Sequence, residues 1–510
     1  MGVGQRDRER ALDHRSRRPD WRLGVSQVSA TAPGGVTLKR GVVGLAGAAT
    51  MGAIMMAPAL GLYGNWGPLA LDVGVIAPLL FFIGLLIAIP TAISYAVIAR
   101  VMPSAGSAYT WLWRALTPAA GIFIGWILIA YYVVAVVIQP YIFGLYFNEL
   151  MVFLGITGID PYITYLVGVA VITIIAGILV YGGIQLSVRG TLIIMGIEVI
   201  VAFLLCATIL VSNISKLSLE PFNPGAMGGA KDIGLALIIM VLSYTGFDVI
   251  STVAEESHSP RSMIPKATII ATLGVAAFWI FGAYALSIAV PTEQVGDLVA
   301  SGMTPVVPIA ADYWGAGKVL VILTALTAAT GVFVACAIGA SRVLFAMGRE
   351  GTLPAVFAGL HPRFKTPWAA QHMVFGISIF ATVAWPLWLD GNIVRAFVWW
   401  AGAIAFFALI TYLFVNLANI LYFNRIAPSK RHWFWNIVVP VIGLVVDGWV
   451  LYKAFFESLW KIEDFRDGKS IILACLVVAV VGIVYVFWIR ASRPHLMKQQ
   501  ALVFDEGAAD

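Results

Sequence analysis

Apolar runs of about twenty residues recur twelve times along this chain, over 41–63, 73–99, 119–147, 162–183, 191–212, 233–254, 266–290, 318–341, 368–389, 395–423, 435–453 and 470–489. Each is long enough to cross about 30 Å of hydrocarbon. In lipid every backbone polar group must be satisfied internally, and continuous apolar runs of this length do that as helices. The expectation is an all-α integral membrane protein with about 12 transmembrane helices. Composition agrees: 60% of the 510 residues are hydrophobic and 11% are charged, where soluble domains carry about 25%. No water-soluble domain interrupts the runs. The longest loops, 213–232 and 291–317, are too short to fold alone.

Charge sets the expected topology. With a cytoplasmic N-terminus, 24 of the 32 Lys and Arg residues fall on cytoplasmic segments. That bias places both termini inside a plasma or inner membrane. The net charge of +6 therefore reports topology, and no nucleic-acid partner is expected. Residues 1–40 are polar and Arg-rich and read as a basic cytoplasmic tail, not a cleaved signal. Cys206, Cys336 and Cys475 lie inside apolar runs without metal-ligand spacing and read as packing residues. No P-loop, dinucleotide fingerprint, HExxH or nucleophile elbow is present. No cofactor and no metal are expected, and no enzymatic activity. An embedded enzyme would need clustered His or Asp within the spans, and of six His only His372 approaches one.

Two runs are interrupted. The sixth carries Ser243-Tyr244-Thr245-Gly246-Phe247-Asp248 at its middle. An Asp at bilayer depth costs about 2.5–3.5 kcal/mol on insertion scales, so it implies a cavity or a partner. The first run carries Thr50-Met51-Gly52-Ala53-Ile54 at its centre. Glycine-interrupted helices at equivalent places in two halves point to a transporter built from inverted repeats. The competing reading is that Gly44, Gly47 and Gly52 only permit close helix packing.

Three motifs then carry a resemblance. They are Pro103-Ser104-Ala105-Gly106-Ser107-Ala108-Tyr109-Thr110-Trp111; Gly246-Phe247-Asp248 with Ala254-Glu255-Glu256, Pro260-Arg261 and Ile264-Pro265; and Ser341-Arg342 through Gly348-Arg349-Glu350-Gly351 to Pro354, with His361-Pro362-Arg363-Phe364 beyond. In this order, each at a cytoplasmic helix end, they resemble permeases of the amino acid–polyamine–organocation (APC) superfamily over roughly residues 41–490. The resemblance implies a LeuT-type 5+5 inverted repeat with two extra C-terminal helices. Its parts would be 41–212, 233–423, the pair at 435–489 and a tail at 490–510. It also implies a secondary transporter of a small amino acid or amine, by proton symport or exchange. Substrate would sit at Thr50, Met51, Gly52, Ala53, Ile54, Ser243, Tyr244, Thr245 and Gly246.

The sequence departs from the family at the first break. Carriers of α-amino acids resembling this chain have Gly-Ser-Gly-Ile where Met51-Gly52-Ala53-Ile54 stands. The hydroxyl is lost unless Thr50 replaces it, which leaves a polyamine or other amine lacking a carboxylate as the alternative substrate. Glu198, in the fifth run, falls where some proton-coupled relatives carry a lysine. It is read either as the coupling-proton site or as a structural carboxyl. Asp248 is read as a gate element or as a ligand for an ammonium. Trp126, Tyr131 and Tyr132 either wall the pocket or only pack. Glu255 and Glu256 are expected to pair near Arg261 and Lys266, and Arg342 to snorkel. A channel or membrane sensor is the competing class, but it would need a filter or a signalling domain.

Overall fold

Proline sets where many of the helices start. Pro58, Pro118, Pro161 and Pro260 each open a helix in the computed structural model, at the position where the missing N–H costs nothing. The structure describes residues 38, 40–228, 233–300 and 305–499. Most of the expected N-terminal tail and the last part of the C-terminal one lie outside the described residues.

The helices are α1 (Leu45–Met56), α2 (Pro58–Val73), α3 (Ala77–Val101), α4 (Ala108–Ala115), α5 (Pro118–Phe153), α6 (Pro161–Tyr181), α7 (Ile184–Ser212) and α8 (Ile233–Tyr244). A 3₁₀ helix, Phe247–Glu256, follows α8. Then come α9 (Pro260–Ala289), α10 (Thr292–Ala300), α11 (Val306–Trp314), α12 (Lys318–Arg349), α13 (Trp368–Trp388), α14 (Ile393–Leu421), α15 (Val439–Leu451) and α16 (Lys469–Ser492). Eleven stretches among the described residues are long and apolar enough to cross a membrane. The first, Leu45–Val101, has 57 residues, far more than one crossing needs. It is divided at Gly74, whose φ of +70° no helix contains, so it supplies two crossings and the bundle has twelve.

Several helices outrun their apolar runs. α7 and α9 start earlier, α12 ends later, and α5 extends at its far end. Hydropathy measures hydrocarbon thickness, whereas a helix continues until a Pro, a Gly or a cap stops it. The 291–317 loop is not irregular: α10 and α11 fold against the bundle, and a Cβ on Gly67 of α2 would meet Pro305 at 2.9 Å and Val299 at 3.2 Å. The core is built on α5 and α12, while α7 turns Ile193, Ile200 and Phe203 outward, an apolar face suited to lipid.

One end of the bundle carries the connections 102–107, 257–259 and 350–367, and is termed the near face; the opposite end is the far face. At the near face Val42 and Val43 N–H both donate to the Glu256 carbonyl, at 2.9 and 3.0 Å. This lays α1 alongside the 3₁₀ helix, and the two breaks meet in the middle of the bundle.

Candidate substrate site

The first break lies at Ala57. Its φ is +54° and ψ +73°, a left-handed conformation costing on the order of 1–3 kcal/mol outside glycine. Pro58 is the cause. Proline disfavours the helical region for the residue before it and has no N–H to return to the preceding turn. The expected break at Thr50–Ile54 is thus corrected by several residues, since Thr50, Met51, Gly52, Ala53 and Ile54 all stay within α1. The second break matches the sequence. α8 ends at Tyr244, Gly246 takes φ +129°, and the 3₁₀ helix starts at Phe247. A Cβ on Gly246 would lie 2.8 Å from Met56 N and 2.9 Å from Met55 C. Only glycine serves there, for conformation and for space.

Four helix ends converge at this contact. The C-termini of α1 and α8 bring partial negative charge, and the N-termini of α2 and the 3₁₀ helix bring partial positive charge. The 3₁₀ end is already occupied, because Gly246 N–H donates to Asp248 Oδ1 at 3.2 Å. The N-terminus of α2 has no side-chain cap.

Against the breaks lies a cavity of about 70 Å³. Met55, Met56 and Ala57 line it from the first break, and Leu60, Gly61 and Asn65 from α2. α5 contributes Ile138, Gln139 and Ile142; α8 and its end contribute Leu242 and Thr245. Val332, Cys336, Phe397 and Ile404 close it from α12 and α14. No charged side chain is among these. Asn65 Nδ2 donates to Ser243 Oγ at 2.8 Å, and Thr245 Oγ1 donates to the Leu242 carbonyl at 2.7 Å. Gln139 Nε2 donates to the Ala135 carbonyl at 3.1 Å, leaving its Oε1 buried without a hydrogen bond. An unpaired buried acceptor beside a cavity asks for a donor.

On the near side of the cavity sits Asp248, fully buried. Tyr131 and Tyr412 donate to Oδ1 at 3.1 and 2.9 Å, and Tyr132 donates to Oδ2 at 2.6 Å. The cage ties α5, α14 and the 3₁₀ helix together. It consumes the tyrosines expected to wall the pocket. Trp126 faces away, donating to the Val478 carbonyl at 3.0 Å. Still nearer that face are two bidentate ion pairs. Arg342 meets Glu256 at 3.0 and 3.1 Å, both side chains 1% exposed. Arg349 meets Glu255 at 2.9 Å through both nitrogens. The partners of the two glutamates therefore come from α12, not from Arg261 and Lys266. Arg342 does not snorkel; it is buried and paired. Ala105 N–H also donates to Glu255, and Ser107 Oγ meets Ser251 Oγ at 2.6 Å. The three sequence motifs thus meet in one cluster at the near face.

With this geometry in hand, comparison with known proteins is decisive on family. The family model described as "Amino acid permease" matches residues 41–498. The chain belongs to the amino acid permease family. This permease is 26% identical over 430 residues to the low-affinity putrescine importer PlaP of Escherichia coli, covering 79% of this chain and 83% of that one. It is 28% identical over 303 residues to the branched-chain amino acid permease BcaP of Bacillus subtilis, covering 57% of this chain and 63% of the relative. Its fold is similar to that of a manganese transporter from Eremococcus coleocola, with TM-score 0.55 and 11% identity over 92% of this chain and 100% of the other. The permease is an all-helical transporter of the expected fold class.

Of the residues expected at the substrate site, Thr245 lines the cavity and Ser243 reaches it through Asn65. Gly246 forms the backbone contact. Tyr244 points elsewhere, donating to the Phe81 carbonyl at 2.6 Å. Gly52 receives Ile250, whose Cδ1 occupies the place a Cβ there would take, and Ile54 fills the notch at Gly331. Both are packing positions. Gln139 and Asn65 were missed: Gln139 is an amide alone in an apolar run, and Asn65 falls between two of the runs. Glu198 is fully buried on α7, and neither of its oxygens makes a hydrogen bond of normal geometry. It lies within the influence of the Ala59 backbone and Tyr63, beside the start of α2.

Proposed function

We propose that this permease moves a zwitterionic amino acid with an apolar side chain, coupled to protons, by alternating access. The observation that carries the reading is the uncharged cavity at the breaks. The N-terminus of α2, when the neighbouring Glu198 is protonated, suits a carboxylate. Gln139 Oε1 and the carbonyl ends of α1 and α8 suit an ammonium group. Met55, Met56, Leu60, Ile138, Leu242 and Phe397 suit an aliphatic side chain. The near face is the cytoplasmic side, supported by the excess of Lys and Arg there. The conformation is then closed toward the cytoplasm by the Asp248 cage and the two ion pairs. Residues 41–212 and 233–423 serve as the inverted repeats whose first helices are broken.

Glu198 carries the coupling proton. A buried carboxyl with no charged partner is costly when ionised, and its place beside α2 lets protonation act on the break. Uptake by Glu198→Gln is expected to lose its pH dependence; an unchanged pH response refutes this role. A diamine is the second reading, favoured by the longer match to the putrescine importer and by Asp248 just past the cavity wall. Thermal-shift screening separates the two. A ligand at about 100 times its Kd stabilises by about 2.7 kcal/mol. Leucine is expected to raise the midpoint and putrescine to leave it unmoved; the opposite pattern favours the diamine.

A further inference from the structure

Another buried carboxylate lies on the other side of α8 from the substrate cavity. Asp447, on α15, is 2% exposed. Thr91 Oγ1 of α3 donates to its Oδ2 at 2.8 Å, and Asn416 Nδ2 of α14 donates to the same oxygen at 3.1 Å. Asn416 also donates to Thr91 at 2.7 Å. Both bonds to Asp447 thus fall on one oxygen. The Asn416 Oδ1 acceptor is buried with no partner, held in the notch left by Gly443.

The surroundings supply no positive charge. Asp447 opens on a small cavity of about 20 Å³, walled by α3, by Tyr244 and its neighbours on α8, and by Leu409 and Tyr412 of α14. The titratable groups facing it from those helices are Tyr244, Tyr412 and, one turn from Thr91, Tyr95. The Tyr95 hydroxyl is itself buried without a partner and feels both Asp248 and Asp447. No Lys, Arg or His is among the groups acting on Asp447. An ionised carboxylate at this depth with no counter-charge is strongly disfavoured. The site has too few free oxygens for a six-coordinate metal ion, but it is roomy enough for ordered water.

We propose that Asp447 is a proton-binding site, distinct from Glu198, that is read by the helix break. Protonated, its free oxygen donates into the small cavity. Deprotonation returns that proton to the cavity water and leaves an unpaired negative charge among α3, α14 and α15. Tyr412 lines this cavity and also donates to Asp248, which holds Gly246 N–H. Tyr244 lines it as the last residue of α8. A charge at Asp447 therefore acts on the same break that borders the substrate cavity.

The test is infrared difference spectroscopy of the purified permease, wild type against Asp447→Asn, from acid to alkaline pH. The expected result is loss of a carboxylic-acid carbonyl band at neutral pH, a band that persists in Glu198→Gln. Loss of a carboxylate band instead, at every pH, overturns the proposal, as does a carboxylate band that shifts on adding sodium. Should Asp447→Asn not fold, Asp447→Glu is expected to move the acid band, and an unmoved band overturns the proposal equally. Leucine uptake supplies the second arm and rests on the proposed substrate, which the infrared arm does not need. Asp447→Asn is expected to flatten the alkaline limb of the pH profile; a superimposable profile overturns the link to the break.

Discussion

The two sides of the helix breaks are built by opposite means. Toward the near face, the 3₁₀ helix is fastened by charge: three tyrosines on Asp248 and two bidentate ion pairs to α12. Toward the far face, α2 and α8 surround a cavity without a charged side chain, and their contacts are glycine notches, apolar packing and the neutral Asn65–Ser243 hydrogen bond. Gly61 receives Trp279 and Gly282 receives Leu62 in this way. Directional bonds give a gate two discrete states, because a bidentate pair is either made or broken. Apolar packing lets a cavity accept a ligand without stranding a charge. A transporter needs both, and this chain sets them on opposite sides of the breaks.

The comparison breaks most readily at Arg342. Arg342→Ala strands the Glu256 carboxylate, and removing one partner of a buried pair costs about 3–5 kcal/mol. A large loss of thermal stability and of uptake is expected, while the double variant with Glu256→Ala should be less destabilised than Arg342→Ala. A double variant worse than the single would mean that the pair is not a closed unit. Gly246→Ala comes next. Strain and overlap with Met55 and Met56 are each worth about 1–3 kcal/mol. Transport should fall sharply, and retention of wild-type transport would contradict the backbone contact.

Gln139→Leu sharpens the cavity side. It preserves volume and removes the free acceptor, so the apparent affinity for leucine should weaken about tenfold, equivalent to about 1.4 kcal/mol. Unchanged binding would take Gln139 out of the site. The smallest effect is expected at the far-face surface. Hydrogen bonds from Arg466 hold the Asp390 and Asp464 carboxyls below the usual carboxylate range. The stability they lend is complete above the unfolded value near 3.9 and is lost only as pH falls through the lowered folded values. Asp390→Asn should therefore melt slightly below wild type, by an offset that stays constant between about pH 5 and 7, a window above that unfolded value, with uptake unchanged.

Much of this was legible in the residues. The twelve crossings follow from hydropathy, and the second break from Thr245-Gly246 with an Asp two residues on. The near-face motifs could be recognised, but their pairing could not, because Glu256 and Arg342 are 86 residues apart and only the packing of α12 decides the match. The first break was misplaced because small residues at 51–54 attract attention, whereas Pro58 dictates the turn. Gln139 and Asp447 were passed over because a single polar residue in a span gives no sign in sequence of whether it faces a cavity, a neighbour or lipid, and Asn65 because it falls between two apolar runs.

The central claim is that an uncharged cavity at the breaks selects an apolar zwitterion. Counterflow in proteoliposomes tests it most directly. Vesicles loaded with unlabelled leucine should transiently concentrate labelled leucine, and unlabelled putrescine should not replace it. Counterflow driven by putrescine, with leucine inert, would contradict the account.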